Sequence, residues 1–156
     1  MDKTTQKAMF SSRTVEWETP IAFFSKLNET YGFTLDPCAT DATAKCPHYF
    51  TKGDDGLSKD WGGNVVFMNP PYGRGIKDWV RKAWQEGTKP DTTVVCLVPA
   101  RTDTRWWHDY CMKAEKVYFV KGRLKFGNSS NSAPFPSAVV VFNSKDNPPS
   151  LGTMGS

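Results

Sequence analysis

One stretch decides the fold of this 156-residue chain, namely residues 65–73, which read VVFMNPPYG. Its first four residues are all apolar, as is typical of a strand buried on both faces of a parallel sheet. Asn69 follows them, and the two prolines after it lock φ and remove two N–H donors. Because the residue before a proline is driven into extended geometry, the Asn69 side chain is expected to turn away from the strand axis. The stretch therefore predicts a buried strand that ends in a stiff, polar loop.

Helical and extended patterns alternate on both sides of this loop. One helix is expected to open at Thr19-Pro20, with Thr19 as its cap, and a second to run to about Gly87. A third is expected to begin at Thr102 or Asp103 and to continue as far as Ala114. Further strands are predicted at residues 33–36, 48–51, 93–98, 117–120 and 138–142.

This alternation predicts an α/β domain with a mostly parallel sheet. The strand at 138–142 follows its neighbour without a helix, so it is expected to be the last strand and to pair antiparallel as a hairpin. In such sheets ligands bind at the carboxyl ends of the strands, which here means Asp36, Asn69 and Pro99.

Length and composition fit one domain, expected over residues 14–143, with a flexible arm at 1–13 and a flexible tail at 144–156. The mean hydropathy is −0.52, and no apolar stretch approaches the ~18 residues of a membrane span. The first residues lack the apolar core of a secretory signal, so a cytoplasmic protein is expected. The four cysteines have no metal-binding spacing, so neither a metal nor a disulfide is expected.

Charge is divided unevenly along the chain. Residues 16–64 contain four basic and eight acidic residues, whereas residues 74–127 contain twelve basic and six acidic ones. An acidic first half suits a cationic ligand, and a basic second half suits phosphates.

The polar loop has a specific chemistry of its own. The Asn69 amide oxygen and the Pro70 carbonyl are two acceptors held beside the Tyr72 ring, and Pro71 stiffens the loop. This arrangement suits a planar amine on a conjugated ring, whose nitrogen is a poor nucleophile because its lone pair is delocalised. Two accepted hydrogen bonds favour a more tetrahedral nitrogen, while Tyr72 stacks on the ring.

Residues 69–72, NPPY, resemble the catalytic tetrapeptide of the amino-group DNA methyltransferases. Five further segments resemble the compact phage-type (Dam-like) DNA N6-adenine methyltransferases, in the order that family shows, and the match runs from about residue 16 to residue 142. The resemblance implies an abbreviated, Rossmann-like class I methyltransferase fold, S-adenosylmethionine as methyl donor and adenine in duplex DNA as substrate. The five segments are 16–20, 35–39, 55–57, 99–104 and 122–126.

The cofactor is expected at the turn after the first strand and at the segment before the first helix. The turn reads DPCATD and lacks the glycine of larger methyltransferases, although Ala39 is small enough for close approach. Asp54 and Asp55 lie 18 and 19 residues after Asp36, near the spacing of a ribose-binding carboxylate, or else they form a surface turn. The expected cofactor residues are Trp17, Thr19, Pro20, Asp36, Cys38, Ala39, Asp54 and Asp55.

DNA is expected at the basic residues near the catalytic end of the sheet, and the polar loop at 128–136 is expected to read bases. The target base must leave the stack to reach Asn69, which implies base flipping. Alternatives are N4-cytosine methylation, methylation of RNA or of a glutamine amide, and a DNA-binding protein without activity. The expected DNA-binding residues are Arg101, Arg105, Lys121, Arg123 and Lys125.

Overall fold

The computed structural model describes residues 17–127, 131–143 and 149–156. The arm expected at 1–13 lies outside these ranges. The helices are α1 (Ile21–Tyr31), α2 (Ile76–Gly87) and α3 (Arg105–Asp109), and the strands are β1 (Leu35–Asp36), β2 (His48–Tyr49), β3 (Val65–Met68), β4 (Thr93–Pro99), β5 (Lys116–Lys121), β6 (Ser137–Phe142) and β7 (Ser150–Gly155). Within the described ranges, no helix is long and apolar enough to cross a bilayer.

The strands form one seven-stranded sheet in the order β2-β1-β3-β4-β6-β5-β7. The pairs β2–β1, β1–β3, β3–β4 and β5–β7 are parallel, whereas β6 runs antiparallel to both β4 and β5. The predicted α/β class, the mostly parallel sheet and the reversed hairpin strand are therefore confirmed. Abbreviation is visible at one edge, where β1 and β2 are two residues each.

Two expectations about the end of the chain are wrong. The strand β6 is not the last strand, and the tail is not flexible over Ser150–Gly155, which forms β7. All six residues of β7 pair in register with β5, from Lys116↔Ser150 to Lys121↔Gly155. This strand is held by backbone hydrogen bonds rather than by buried apolar side chains. Its small and polar residues therefore carry no apolar pattern from which the sequence could predict a strand. Residues 144–148 of the expected tail lie outside the described ranges.

The core lies at the centre of the sheet. Every residue of β6, and all of β4 except Thr93, is buried, so both faces of these strands are covered. The helix α1 contributes Phe24, whose ring lies edge-on to Phe67 at 5.1 Å between centroids.

The third helix differs from its prediction. It is a single short helix that ends at Asp109, and a separate 3-10 turn follows over Cys111–Lys113. Its cap is neither Thr102 nor Asp103 but Thr104, whose hydroxyl accepts from the Trp107 N–H. The hydroxyl of the true cap lies immediately before the helix, where it reaches an N–H of the first turn that has no partner within the helix.

Because β1, β3 and β4 are adjacent and parallel, their carboxyl ends meet at one edge of the sheet. The register pairs Leu35 with Val66 and Met68 with Cys96. Asp36 and Asn69 are therefore brought to the same edge, as the sequence predicted.

Candidate active site

The Asn69 side chain is held by the segment that precedes α1. Its amide nitrogen Nδ2 donates to the backbone carbonyl of Trp17 and, at 2.9 Å, to the hydroxyl oxygen of Thr19. Its oxygen Oδ1 is buried and has no hydrogen-bond partner among the described residues. A buried acceptor without a partner is unfavourable, so Oδ1 is prepared to receive a donor from outside the protein.

The interpretation of Thr19 as a helix cap is wrong. The N-cap residue of α1 is Pro20, and this helix end has no side-chain cap bond. Thr19 is only 4% exposed and directs its hydroxyl to Asn69 instead.

The diproline loop is anchored to the turn after β1. The backbone carbonyl of Asn69 accepts from the Cys38 thiol, with 3.3 Å between sulfur and oxygen. Pro70 is buried and Pro71 is partly buried, so the loop is supported by packing as well as by its fixed φ angles. The acceptor role of the Pro70 carbonyl stays a prediction.

Tyr72 is the last residue of the NPPY sequence and directly follows the two prolines. It is 5% exposed, its hydroxyl donates to the Leu97 carbonyl at 3.2 Å, and burial raises the pKa of its phenol well above the ordinary range. Its ring lies edge-on to Phe135 and Phe126, with centroids 5.5 and 6.3 Å away. The structure thus places Tyr72 in an aromatic cluster, and its stacking on a base stays a prediction.

Sequence reasoning missed two members of this cluster. Phe126 and Phe135 both lie edge-on to Trp17, at 5.5 and 5.3 Å between centroids. A sequence signal for Phe126 was available. Residues 123–126 read RLKF, and this alternation of basic and apolar side chains is typical of a half-buried extended segment. Phe135 lies in a polar, proline-rich stretch that has no hydrophobic periodicity, so the sequence gives no indication that it is buried.

The turn after β1 contains a buried acid. Asp36 is 8% exposed, accepts from the Cys38 N–H at 3.1 Å, and has a pKa raised to about 6 because burial penalises its charged form. Burial also raises the pKa of the Cys38 thiol, which is therefore protonated and able to donate to Asn69. A buried carboxyl of this kind favours a cationic ligand, because a positive charge would restore its ionised form.

The expected ribose-binding pair, Asp54 and Asp55, directly precedes Gly56, which packs against this turn. Gly56 packs so closely that a Cβ there would lie 2.0 Å from the Pro37 carbonyl oxygen. Asp54 is exposed, and its carboxylate accepts from the N–H and hydroxyl of Thr51, which stabilises its own turn. Asp55 is exposed with a φ of 57°. Ala39 is buried, and its N–H donates to the Phe50 carbonyl.

All five predicted DNA-binding residues are exposed: Arg101, Arg105, Lys121, Arg123 and Lys125. Arg123 also donates to the Ala133 carbonyl at 3.2 Å, which ties residue 123 to the loop expected to read bases. Arg123 and Lys125 line a cavity of about 300 Å³ together with Lys26 of α1, a basic residue that sequence reasoning missed. Residues 128–130 of that loop lie outside the described ranges.

The sheet, with its NPPY loop at the carboxyl end of β3, has the architecture of a methyltransferase-like fold. The model of one family, DNA N-6-adenine-methyltransferase (Dam), matches residues 6–148, and the chain belongs to this family. The DNA N-6-adenine-methyltransferase of Haemophilus phage HP1 (strain HP1c1) is 29% identical over 138 residues, which are 83% of this chain and 79% of that protein. The DNA N-6-adenine-methyltransferase of Escherichia phage T1 is 27% identical over 110 residues, which are 69% of this chain and 45% of that protein. The resemblance inferred from the motifs is confirmed.

Proposed function

We propose that the protein transfers a methyl group from S-adenosylmethionine to the N6 amine of an adenine in duplex DNA. The observation that carries this proposal is the Asn69 amide, whose nitrogen is bound by Trp17 and Thr19 while its buried oxygen has no partner among the described residues. Such a group is an acceptor oriented in advance for one external N–H donor.

The chain's own residues act on the amine. Asn69 Oδ1 and the Pro70 carbonyl each accept a hydrogen bond from one N–H of the amine, which localises the nitrogen lone pair for attack. When bound, S-adenosylmethionine supplies the electrophilic methyl group. The nitrogen becomes acidic once it is alkylated, so its surplus proton passes to water and no strong base is required.

The residues around the turn after β1 fit a cationic methyl donor. Asp36 is a buried carboxyl whose pKa is raised because burial outweighs the Cys38 N–H and the charge of Lys45, and a positive ligand would further favour its ionised form. Trp17, Pro20, Cys38 and Ala39 would form the wall of this site, and Asp54 and Asp55 its outer edge. Thr19, the remaining residue of the predicted set, binds the Asn69 amide instead.

The DNA backbone would lie across the basic side of the molecule. Arg123, Lys125 and Lys26 line one cavity and bring positive charge to it. Phosphate contacts of this kind position a duplex but do not read it. The loop at 128–136 would read base edges, and the target adenine would be flipped toward Asn69.

Transfer of labelled methyl groups tests the proposal. Unmethylated duplex DNA should accept label from S-adenosylmethionine, and the Asn69→Ala variant should lower kcat by a factor on the order of 10²–10³, as loss of one preorganised polar contact does at other sites. Digestion of the product to nucleosides should yield N6-methyladenine. Its replacement by N4-methylcytosine, or label found only in RNA or protein, would identify the alternative substrate.

Calorimetry distinguishes the proposed enzyme from the remaining alternative, a DNA-binding protein without activity. An active enzyme binds S-adenosylmethionine, whereas a DNA-binding protein without activity does not. Asn69→Ala should bind S-adenosylmethionine like the wild type, because the lost oxygen faces the amine. Full activity of Asn69→Ala would refute the assignment of this residue.

A further inference from the structure

The environment of Thr19 is unusual for a residue that precedes a helix. The hydroxyls of such residues commonly accept from the first turn, but here the first bond of α1 is Phe24 N–H to the Pro20 carbonyl, and no side chain caps the helix. The Thr19 hydroxyl is buried and accepts from Asn69 Nδ2 at 2.9 Å across 50 residues of sequence.

The position of Thr19 is itself restrained. The carbonyl of the neighbouring Glu18 accepts from the Gly127 N–H at 2.8 Å. Gly127 has a φ of 37°, and a Cβ at this position would lie 2.8 Å from the Glu18 Cβ, so only glycine allows the two chains to approach so closely. The segment that carries Thr19 is thus held in place by the contact between Glu18 and Gly127 as well as by the bonds to Asn69.

Two contacts are needed to define the orientation of an amide. The Trp17 carbonyl can only accept, so the atom of Asn69 that faces it must be the nitrogen. One such bond still lets the amide plane swing about the contact. The second bond, to Thr19, uses the other N–H and fixes the plane, which leaves Oδ1 as the only free group of the amide within the described structure.

We propose that Thr19 is a positioning residue for the methyl-transfer step, because its hydroxyl holds the Asn69 amide in the plane in which Oδ1 meets the target amine. This inference rests on the proposed function. It assigns Thr19 to Asn69 rather than to the cofactor, where the sequence placed it.

Two substitutions isolate the hydroxyl. Thr19→Val keeps the shape of the side chain and removes the hydroxyl, whereas Thr19→Ser keeps the hydroxyl. We expect Thr19→Val to lower kcat about tenfold, the effect of losing one orienting hydrogen bond, with the KM for DNA and the Kd for S-adenosylmethionine unchanged. Thr19→Ser should stay within about twofold of wild type. A raised Kd with unchanged kcat would overturn the proposal in favour of a cofactor contact, and equal losses in both variants would overturn it because the hydroxyl would not matter.

A measurement on the protein without ligands is independent of activity. The Asn69 side-chain amide protons, observed by NMR with 15N labelling, should exchange slowly with solvent in wild type and Thr19→Ser and faster in Thr19→Val. Equal protection in all three proteins would overturn the proposal. If Thr19→Val fails to fold, Thr19→Ala takes its place. A wild-type protein without methyl transfer refutes the proposed function, while the exchange rates still decide whether Thr19 orients Asn69.

Discussion

Asn69 and Asp36 are two polar side chains at the carboxyl ends of adjacent strands, of which Asp36 is buried and Asn69 is partly buried. The Asn69 amide is neutral, and its nitrogen donates a hydrogen bond to Thr19. Asp36 is an acid that has little exposure to solvent, and its carboxyl accepts a hydrogen bond from the backbone N–H of Cys38. The sequence was sufficient to place Asn69 at the carboxyl end of β3, because an apolar strand precedes it and the prolines after it restrict the backbone locally. It was not sufficient to identify the Thr19 bond, because nothing in local spacing indicates which of many hydroxyls meets an amide 50 residues away.

The buried Asp36 predicts a pH dependence of stability. Its pKa is 3.8 in an unfolded chain and about 6 in the folded protein, so between these values the folded state holds a proton that the unfolded state has lost. Stability from this group therefore falls as pH rises from about 4 to 6 and stays low above that. Asp36→Asn should remove the penalty and raise the free energy of unfolding at pH 7 by up to about 3 kcal/mol.

Urea unfolding of both proteins between pH 4 and 7.5, without cofactor, measures this difference. It should be small near pH 4 and reach its full size above pH 6. Asp109→Asn, at an exposed aspartate at the end of α3, is the matched control and should change little. A difference that does not vary with pH would contradict the prediction.

The helices and strands differ in how well they can be predicted from their sequences. The bounds of α2 follow from its apolar period and those of β4 from its continuous apolar run, and both were predicted within a residue or two. The strand β7 was not predicted, because an edge strand held by backbone pairing needs no apolar pattern. The short α3 was predicted too long, because the buried residues after it, Cys111 and Ala114, belong to or directly follow a separate 3-10 turn.

The helix α2 also contains a buried charge that stabilises its C-terminal end. Glu86 is 3% exposed, accepts from the Trp61 N–H at 2.6 Å, and forms salt bridges with Lys82 and Lys89. Glu86→Ala leaves the buried Trp61 N–H without its acceptor and breaks the salt bridges to Lys82 and Lys89, of which Lys89 keeps Asp60, so we expect a loss of about 3–5 kcal/mol in the free energy of unfolding. Glu86→Gln keeps an acceptor for Trp61 and should lose less.

The measurement is urea unfolding followed by tryptophan fluorescence. Gln85→Ala, on the exposed side of the same helix, is the control and should stay within about 0.5 kcal/mol of wild type. If Glu86→Ala were as stable as Gln85→Ala, the buried network would contribute nothing.

At the scale of the whole molecule, the strands from the two halves of the sequence lie on opposite sides of β3 in the strand order. The acidic stretch, residues 16–64, contains β1 and β2 at one edge, and the basic stretch, residues 74–127, contains β4 and β5 beyond β3. The charge division read from the sequence therefore holds for the strands but not for α1, whose Tyr31 hydroxyl contacts the Tyr118 hydroxyl of β5. Which lysines and arginines gather around one cavity could not be read from it, since Lys26 joins them from the acidic half.

This division predicts the salt dependence of DNA binding. If Lys125 contacts a phosphate, Lys125→Ala should weaken binding and reduce the slope of log affinity against log salt concentration by about 1. Lys121→Ala should do the same. Lys59→Ala, which removes an exposed lysine from the acidic half, is the control and should leave the slope unchanged. Fluorescence anisotropy with labelled duplex DNA at several salt concentrations measures the slope, and equal slopes for Lys125→Ala and Lys59→Ala would exclude the phosphate contact.

The contact between Asn69 and residues 17–19 has a consequence for folding order. It closes a loop of about 50 residues, and the bond between Glu18 and Gly127 closes one more than twice as long. Contacts so distant in sequence carry a large entropic cost of closure, and they form after the local pairs of helix and hairpin. The sheet can therefore assemble before Asn69 is oriented, and in a chain with all of its strands in place the Asn69 amide is fixed only when the N-terminal segment docks.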